Sequence, residues 1–157
     1  MVTLLILLNE YHSFANALSM LGNGKLKYII SFKHDMAKFI EMDDNVKFLS
    51  QLEEDAGPIV FVNKFTVNPK DANEFLKAWE ADAAYFKSQP RLISAQLHKG
   101  IGGSGTFFNY AIWESTAQLK KAVNNTDLQT RLSKYPASTV ISPHIFKKVA
   151  VPGICVE

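Results

Sequence analysis

The order of hydrophobic patterns between Gly57 and Val149 constrains the fold more than any other feature of this sequence. Apolar residues recur every second position in strands and every three to four positions in helices. The patterns predict strands at 59–67, 92–98, 106–113 and 139–149, with helices at 68–89 and from 115 to about 135. This β-α-β-β-α-β order predicts an α+β, ferredoxin-like sandwich, with both helices on one face of a four-stranded antiparallel sheet.

Local signals support these elements. Asn68 and Ser115 suit the capping position before each helix, and Pro69 suits the first helical residue. Pro143 lacks an N–H group and predicts an edge or a bulge in the last strand. The sheet face away from the helices also carries large apolar groups, so a second copy is expected to cover it: Phe108, Tyr110 and Ile112.

The 157 residues argue for one domain, whose pattern begins after residue 56. Residues 1–56 are interpreted as a partly disordered N-terminal extension with a short amphipathic helix within 44–55, capped near Asp43 or Asp44. Residues 57–151 form the domain, and 152–157 form a tail. Residues 1–35 show no clean period, and Met36 is a second possible start, which predicts that the domain does not need them.

Composition excludes several classes of function. The net charge of +2 leaves no basic footprint for nucleic acid, and no run approaches the ~20 apolar residues that span a bilayer. The apolar start of the chain resembles a signal peptide only faintly, since Glu10 and His12 interrupt it and no basic residue precedes it. The single cysteine, Cys155, fits a reducing compartment, and a cytoplasmic protein is expected.

Motifs for nucleotides and metals are not expected to function here. Gly100, Gly102 and Gly105 match G-x-G-x-x-G, but a strand rather than a helix follows, which indicates a hairpin turn. The four histidines show no ligand spacing within a helix, so neither a metal nor a cofactor is predicted: His12, His34, His98 and His144.

Polar residues on the helix-facing side of the strands mark the candidate site. Asn63 shares its strand face with apolar residues, and Asn109 and Trp113 lie on the same face of the third predicted strand. Two amides and an indole N–H in apolar surroundings are typical of a small-ligand pocket. Two structural explanations stay open: Asn63 satisfied by neighbouring backbone, and Trp113 as a core residue.

These segments resemble the antibiotic-biosynthesis monooxygenase family of the dimeric α+β barrel superfamily. The resemblance is carried by residues 59–67, the helix to Trp79, the segment 108–115 and the tail 142–151. It implies a dimer with one pocket per subunit between sheet and helices. Members include cofactor-independent oxygenases and haem-degrading enzymes. In the haem-degrading branch an Asn and a Trp match Asn63 and Trp113, but its iron-ligating His has no counterpart in 115–135, which disfavours haem degradation.

The predicted function is a cofactor-independent monooxygenase of a small aromatic or quinone-like molecule. Asn63 is expected to hydrogen-bond a substrate oxygen, and Trp113 to stack on the ring and donate its N–H. His144 and Tyr135 are secondary candidates for proton transfer. Alternatives are a non-catalytic or stress-linked binder and a structural dimer with a filled core. Expected substrate contacts are Phe61, Phe65, Phe75, Trp79 and Asn109.

Overall fold

The computed structural model describes residues 36–125 and 128–155. The interpretation of residues 1–35, with His12 and His34, lies outside the described residues. Within the described part, the predicted ferredoxin-like α+β fold is confirmed. Among the helices described there, none is long and apolar enough to cross a membrane.

One mixed sheet of five strands forms the frame of the domain. The strands are Lys38–Phe39 (β1), Ile59–Thr66 (β2), Leu92–Lys99 (β3), Thr106–Trp113 (β4) and Val140–Phe146 (β5). Their spatial order is β1-β5-β2-β4-β3, with β1 parallel to β5 and the other pairs antiparallel. The sequence predicted only the four longer strands, because a two-residue strand is too short to show alternation.

The helices cover one face of this sheet. They span Phe48–Gln51 (α1), Ala72–Lys87 (α2), Thr116–Asn124 (α3) and Leu128–Leu132 (α4), and a 3₁₀ turn at Pro69–Asp71 precedes α2. Both predicted caps form. Asn68 Oδ1 accepts the N–H of Lys70 at 3.2 Å, and Ser115 Oγ accepts the N–H of Gln118 at 3.3 Å.

Two predicted elements have different bounds in the structure. The second predicted helix is divided, since α3 ends at Asn124 and α4 begins at Leu128. Asn124 and Asn125 are poor helix formers because their side chains compete for backbone hydrogen bonds, which explains the break. The last strand ends at Phe146 rather than 149, where it pairs with Val60 near the start of β2.

The segment 36–56 packs into the same core as the rest of the domain. Phe48 and Leu52 are buried in a cluster with Ile59 and Trp113. The predicted cap at Asp43 or Asp44 is wrong, because α1 begins only after Lys47, and the N–H of Phe48 donates to the Glu41 carboxylate at 2.8 Å.

Alternation along the strands separates the two faces as predicted. On the helix side, Phe65 and Phe107 pack with Phe75 of α2, while Trp113 packs with Leu119 of α3. On the opposite face, Phe108 and Phe146 are 39% and 42% exposed, and Tyr110 and Ile112 are half-buried. An apolar sheet face is therefore left uncovered by the described residues of the chain.

The glycine-rich segment is a hairpin loop between β3 and β4, as the sequence indicated. Gly102 and Gly103 have φ values of +67° and +76°, a region that other residues rarely adopt. Ser104 Oγ accepts the N–H of Thr106 at 3.0 Å and closes the turn. No helix follows these glycines, so they present no helix N-terminus to a phosphate.

Candidate functional site

A cavity of about 60 Å³ lies between α2 and the sheet. The floor of the cavity is formed by residues that pair between neighbouring strands. Asn63 of β2 pairs with Asn109 of β4, and one row along, Ala111 of β4 pairs with Ala95 of β3. Small side chains at 95 and 111, beneath Ala83 of α2, leave the space open. The cavity thus has an amide row beside a row of alanines, under one helix.

Most of the expected site residues line this cavity. Asn63, Asn109 and Trp113 contribute polar groups from two adjacent strands. The aromatic walls and the far end come from Phe61, Phe65, Trp79 and Tyr135. Residues separated by up to 74 positions in sequence are thereby brought around one small space.

Two side-chain atoms of residues that line the cavity are buried and lack a hydrogen-bond partner among the described residues: Asn63 Oδ1 and Trp113 Nε1. The Trp113 side chain is 1% exposed. A buried polar atom without a partner costs about 1–3 kcal/mol, so an occupant that supplies the missing bonds is favoured. The indole can only donate, whereas the amide presents an acceptor or, after rotation, a donor. The site therefore suits a molecule with oxygen atoms on an apolar body.

Asp82 is a cavity residue that the sequence analysis missed. Its carboxylate accepts a hydrogen bond from Arg131 Nε at 2.9 Å and one from the Tyr135 hydroxyl at 2.7 Å. The Arg131 guanidinium also lies 4.4 Å from the ring centroid of Phe86. Asp82 follows Trp79 by three positions and so interrupts the apolar stripe of α2, which is the signal that could have identified it.

Tyr135 lines the cavity, but its proton is already engaged. Burial raises the pKa of the Tyr135 hydroxyl well above its ordinary value, and the adjacent negative charge of Asp82 and their hydrogen bond raise it further. Arg131 opposes this effect only in part. A neutral hydroxyl that donates to a carboxylate is poorly suited to proton transfer at neutral pH.

Replacing Tyr135 by Phe is expected to change the pH dependence of stability. The folded protein holds this proton more tightly than the unfolded chain, so its contribution is complete below the ordinary tyrosine pKa near 10 and is lost above it. The difference in unfolding free energy between wild type and Tyr135→Phe should shrink by about 1.4 kcal/mol per pH unit above about pH 10. Urea denaturation at pH 8, 10 and 11 measures this difference. A constant difference contradicts the assignment.

His144 does not reach the cavity. The register places it beside Val62, on the sheet face opposite to Asn63. Gln51 Oε1 accepts the N–H of Ile145 at 2.7 Å, which turns Gln51 Nε2 toward His144 Nδ1 at 3.0 Å. With this orientation Nδ1 accepts, so the proton of a neutral ring lies on Nε2. The expected role of His144 at the site is not supported, because its side chain lies on the opposite face of the sheet and contacts Gln51 of α1.

Phe75, another expected substrate contact, also lies outside the cavity lining. It is fully buried, with ring centroids 4.5 Å from Phe107, 5.0 Å from Phe65 and 5.7 Å from Tyr135. Helical spacing alone placed Phe75 and Trp79 on one stripe and could not separate the core part of that stripe from the part above the cavity. Across residues 36–125 and 128–155, there is no group of three or more His, Cys, Asp or Glu placed to hold a metal ion.

The sheet order, the helices on one face and the inward-facing cavity define a ferredoxin-like α+β domain with a small internal cavity. Residues 58–130 match the family model for antibiotic biosynthesis monooxygenases, which confirms the resemblance seen in the sequence. The matched segment runs from just before β2 to α4. Comparison with curated protein sequences gives no match.

Solved structures with the same fold span most of this domain. SnoaB, a cofactor-independent oxygenase from Streptomyces nogalater, is 21% identical with a TM-score of 0.55, over 62% of this chain and 99% of SnoaB. A candidate monooxygenase from Shewanella loihica PV-4 is 24% identical with a TM-score of 0.52, over 62% of this chain and 99% of that one. At these identities the likeness establishes the fold.

Proposed function

We propose that the protein is a cofactor-independent monooxygenase that acts on a small aromatic or quinone-like molecule bound in this cavity. The observation that carries the proposal is the pair of buried, unpartnered polar atoms, Asn63 Oδ1 and Trp113 Nε1, at an otherwise mainly apolar space. The match to the monooxygenase family supports the reaction class. A single cysteine fits a cytoplasmic location, which is part of the same proposal.

The chemistry needs only the substrate and O₂. A hydroxylated aromatic loses its hydroxyl proton to water, and the resulting electron-rich anion transfers electrons to O₂ at a ring carbon. A C–O bond forms there, the O–O bond then breaks, and the second oxygen atom leaves as water with the hydrogen of that carbon. The products are a quinone and water, so the substrate itself supplies all the electrons.

The protein contributes orientation and electrostatic stabilisation to this reaction. Trp113 donates its N–H to the substrate oxygen, where negative charge develops. Asn63 Oδ1 accepts from the substrate hydroxyl before ionisation, and the amide, once rotated, donates its N–H to the same oxygen. Asn109 extends the amide row beside Asn63. Phe61, Phe65 and Trp79 provide the apolar contacts that hold the ring.

A second copy of the chain is the proposed cover for the uncovered sheet face. Phe108 and Phe146 expose apolar surface there, and Tyr110 and Ile112 lie between them. Apolar sheet faces of this kind are usually buried against another layer, and a two-fold self-association is the commonest solution. The homodimer predicted from the sequence is therefore retained as a proposal.

A non-catalytic or stress-linked binding protein is the second candidate function. The observation that favours it is the engagement of Tyr135 by Asp82, which leaves the cavity without a free hydroxyl group from Tyr135 to move protons. The third hypothesis, a filled core, is opposed by the cavity beside Asn63 and Trp113. Oxygen uptake separates the enzyme from the binder, because both would hold the same ligands.

The test is oxygen consumption with a panel of hydroxylated aromatics, comparing wild type with Asn63→Ala. We expect turnover to fall by about 10- to 100-fold, because the variant loses one hydrogen bond to a developing oxyanion. Thermal unfolding should change little, since the Asn63 amide oxygen has no partner to lose among the described residues. Asn73→Ala, at an exposed position of α2, is the matched control and should keep full turnover. Unchanged turnover in Asn63→Ala removes Asn63 from the mechanism, and no oxygen uptake with any compound contradicts the enzyme.

A further inference from the structure

One residue that lines the cavity is exposed to solvent although it lies on the face of the sheet that the helices cover, and this residue marks the entrance of the cavity. Ala95 belongs to β3, the outermost strand, and pairs with Ala111, which is only 3% exposed. Ala95 lines the cavity and is nevertheless exposed. A residue on the helix-facing side can be exposed only where α2 leaves it uncovered, so the cavity opens between α2 and β3.

The two polar residues lie on strands inward of β3. Asn63 is on β2, two strands inward from β3, which corresponds to roughly 10 Å at a strand spacing of about 4.8 Å. Trp113, on β4, is 1% exposed and cannot be approached from the surface. A ligand that satisfies these atoms therefore has to enter past Ala95 with its oxygen atom leading.

The volume sets how much of the ligand is enclosed. The cavity measures about 60 Å³, less than half of the roughly 150 Å³ that encloses benzene in an engineered protein cavity. A ring whose oxygen reaches Asn63 thus fills the space, and its opposite edge lies in the opening beside Ala95. Groups beside the oxygen must fit among Phe61, Trp79 and Trp113, whereas groups on the opposite edge project toward solvent.

We infer that Ala95 forms the entrance of the site and that a phenolic ligand binds with its oxygen atom pointing inward. The site then selects against bulky substituents next to the oxygen and tolerates them on the opposite edge of the ring. This inference rests on the proposed function for the choice of a phenolic ligand. It adds a specificity-determining residue and a substitution pattern. Neither follows from the unpartnered atoms alone, because they fix only the polar end of the ligand.

The substitution pattern is tested on the wild-type protein by calorimetric titration with three phenols. We expect phenol and 4-tert-butylphenol to bind with affinities within about threefold of each other. We expect 2,6-di-tert-butylphenol to bind at least tenfold more weakly, because added bulk in a close-packed space is strongly disfavoured. Equal affinity for the 4- and 2,6-substituted compounds overturns the inference, and so does failure of all three to bind.

The role of Ala95 at the entrance is tested with Ala95→Leu, for which Ala84→Leu at an exposed position of α2 is the matched control. Ala95→Leu should weaken phenol binding at least tenfold, and Ala84→Leu should leave it unchanged. Wild-type affinity in a folded Ala95→Leu variant overturns the inference. Oxygen uptake is measured in parallel. Binding with the expected pattern but without oxygen uptake would contradict the monooxygenase function and would leave the inference about Ala95 standing.

Discussion

Replacing Phe75 by alanine lowers the free energy of unfolding by about 3–5 kcal/mol, the range expected when a fully buried phenylalanine is truncated. Its ring is inaccessible to solvent and meets the rings of Phe65, Phe107 and Tyr135. The space left behind cannot close, because aromatic side chains from β2, β4 and the segment after α4 surround it. Urea denaturation of wild type and variant at pH 7 gives the difference.

The neighbouring residue on α2 provides the control for this experiment. Leu76 is 38% exposed, so Leu76→Ala removes apolar atoms from the same helix and should cost less than about 1 kcal/mol. The pair also decides between two roles for Phe75. A substrate contact would raise KM when truncated and leave stability nearly unchanged, and that outcome would contradict the core assignment.

The strand and helix pattern between residues 57 and 149 was sufficient to predict the fold. Ile59, Phe61 and Phe65 alternate because one face of β2 is covered by helices, and the capping residues Asn68 and Ser115 mark where those helices begin. These signals are local, and each agrees with the final structure. Local sequence patterns could not predict how residues 36–56 pack against β5. That contact depends on two paired residues of β1 and on the hydrogen bond that the Gln51 side chain accepts.

The site was predictable only in part, for reasons that individual residues illustrate. Asn63 and Trp113 stand on strand faces whose direction follows from alternation, so their convergence could be inferred. The location of His144 depends on pairing with Val62, because a shift of one residue in the strand register would move its side chain to the other face of the sheet. Asp82 and Arg131 are 49 positions apart, and nothing in their local sequence indicates that they meet.

The ion pair between Asp82 and Arg131 explains how a polar wall persists beside an apolar cavity. Both side chains are largely buried, at 13% exposed for Arg131 and 17% for Asp82. The carboxylate is satisfied by the guanidinium and by the Tyr135 hydroxyl, so it does not require a ligand. Within the described part of the chain, Asn63 Oδ1 and Trp113 Nε1 have no such partners, which is why the hydrogen bonds to a substrate are proposed for them.

Replacing Trp113 by phenylalanine is expected to lower turnover about 100-fold, the size of effect seen when one donor to a developing oxyanion is removed. Phenylalanine retains an aromatic ring at the end of β4, so contacts such as the one with Phe86, 6.2 Å away, are largely kept. The change removes the N–H together with part of the indole ring, and among the described residues that N–H has no partner. Turnover and KM are measured by oxygen consumption with the best substrate of the phenol panel.

The second tryptophan of the chain makes the comparison specific, because Trp79→Phe is the same chemical change on another wall of the same cavity. Trp79 is half-buried, and its N–H is not among the buried atoms without a partner, so turnover should fall no more than about threefold. A donor that stabilises the phenolate also favours ionisation of the bound phenol. The pH–rate profile of Trp113→Phe should therefore shift to higher pH, whereas a purely structural role for Trp113 leaves the profile in place. Equal turnover and an unshifted profile in the two variants would show that the indole N–H takes no part in the reaction.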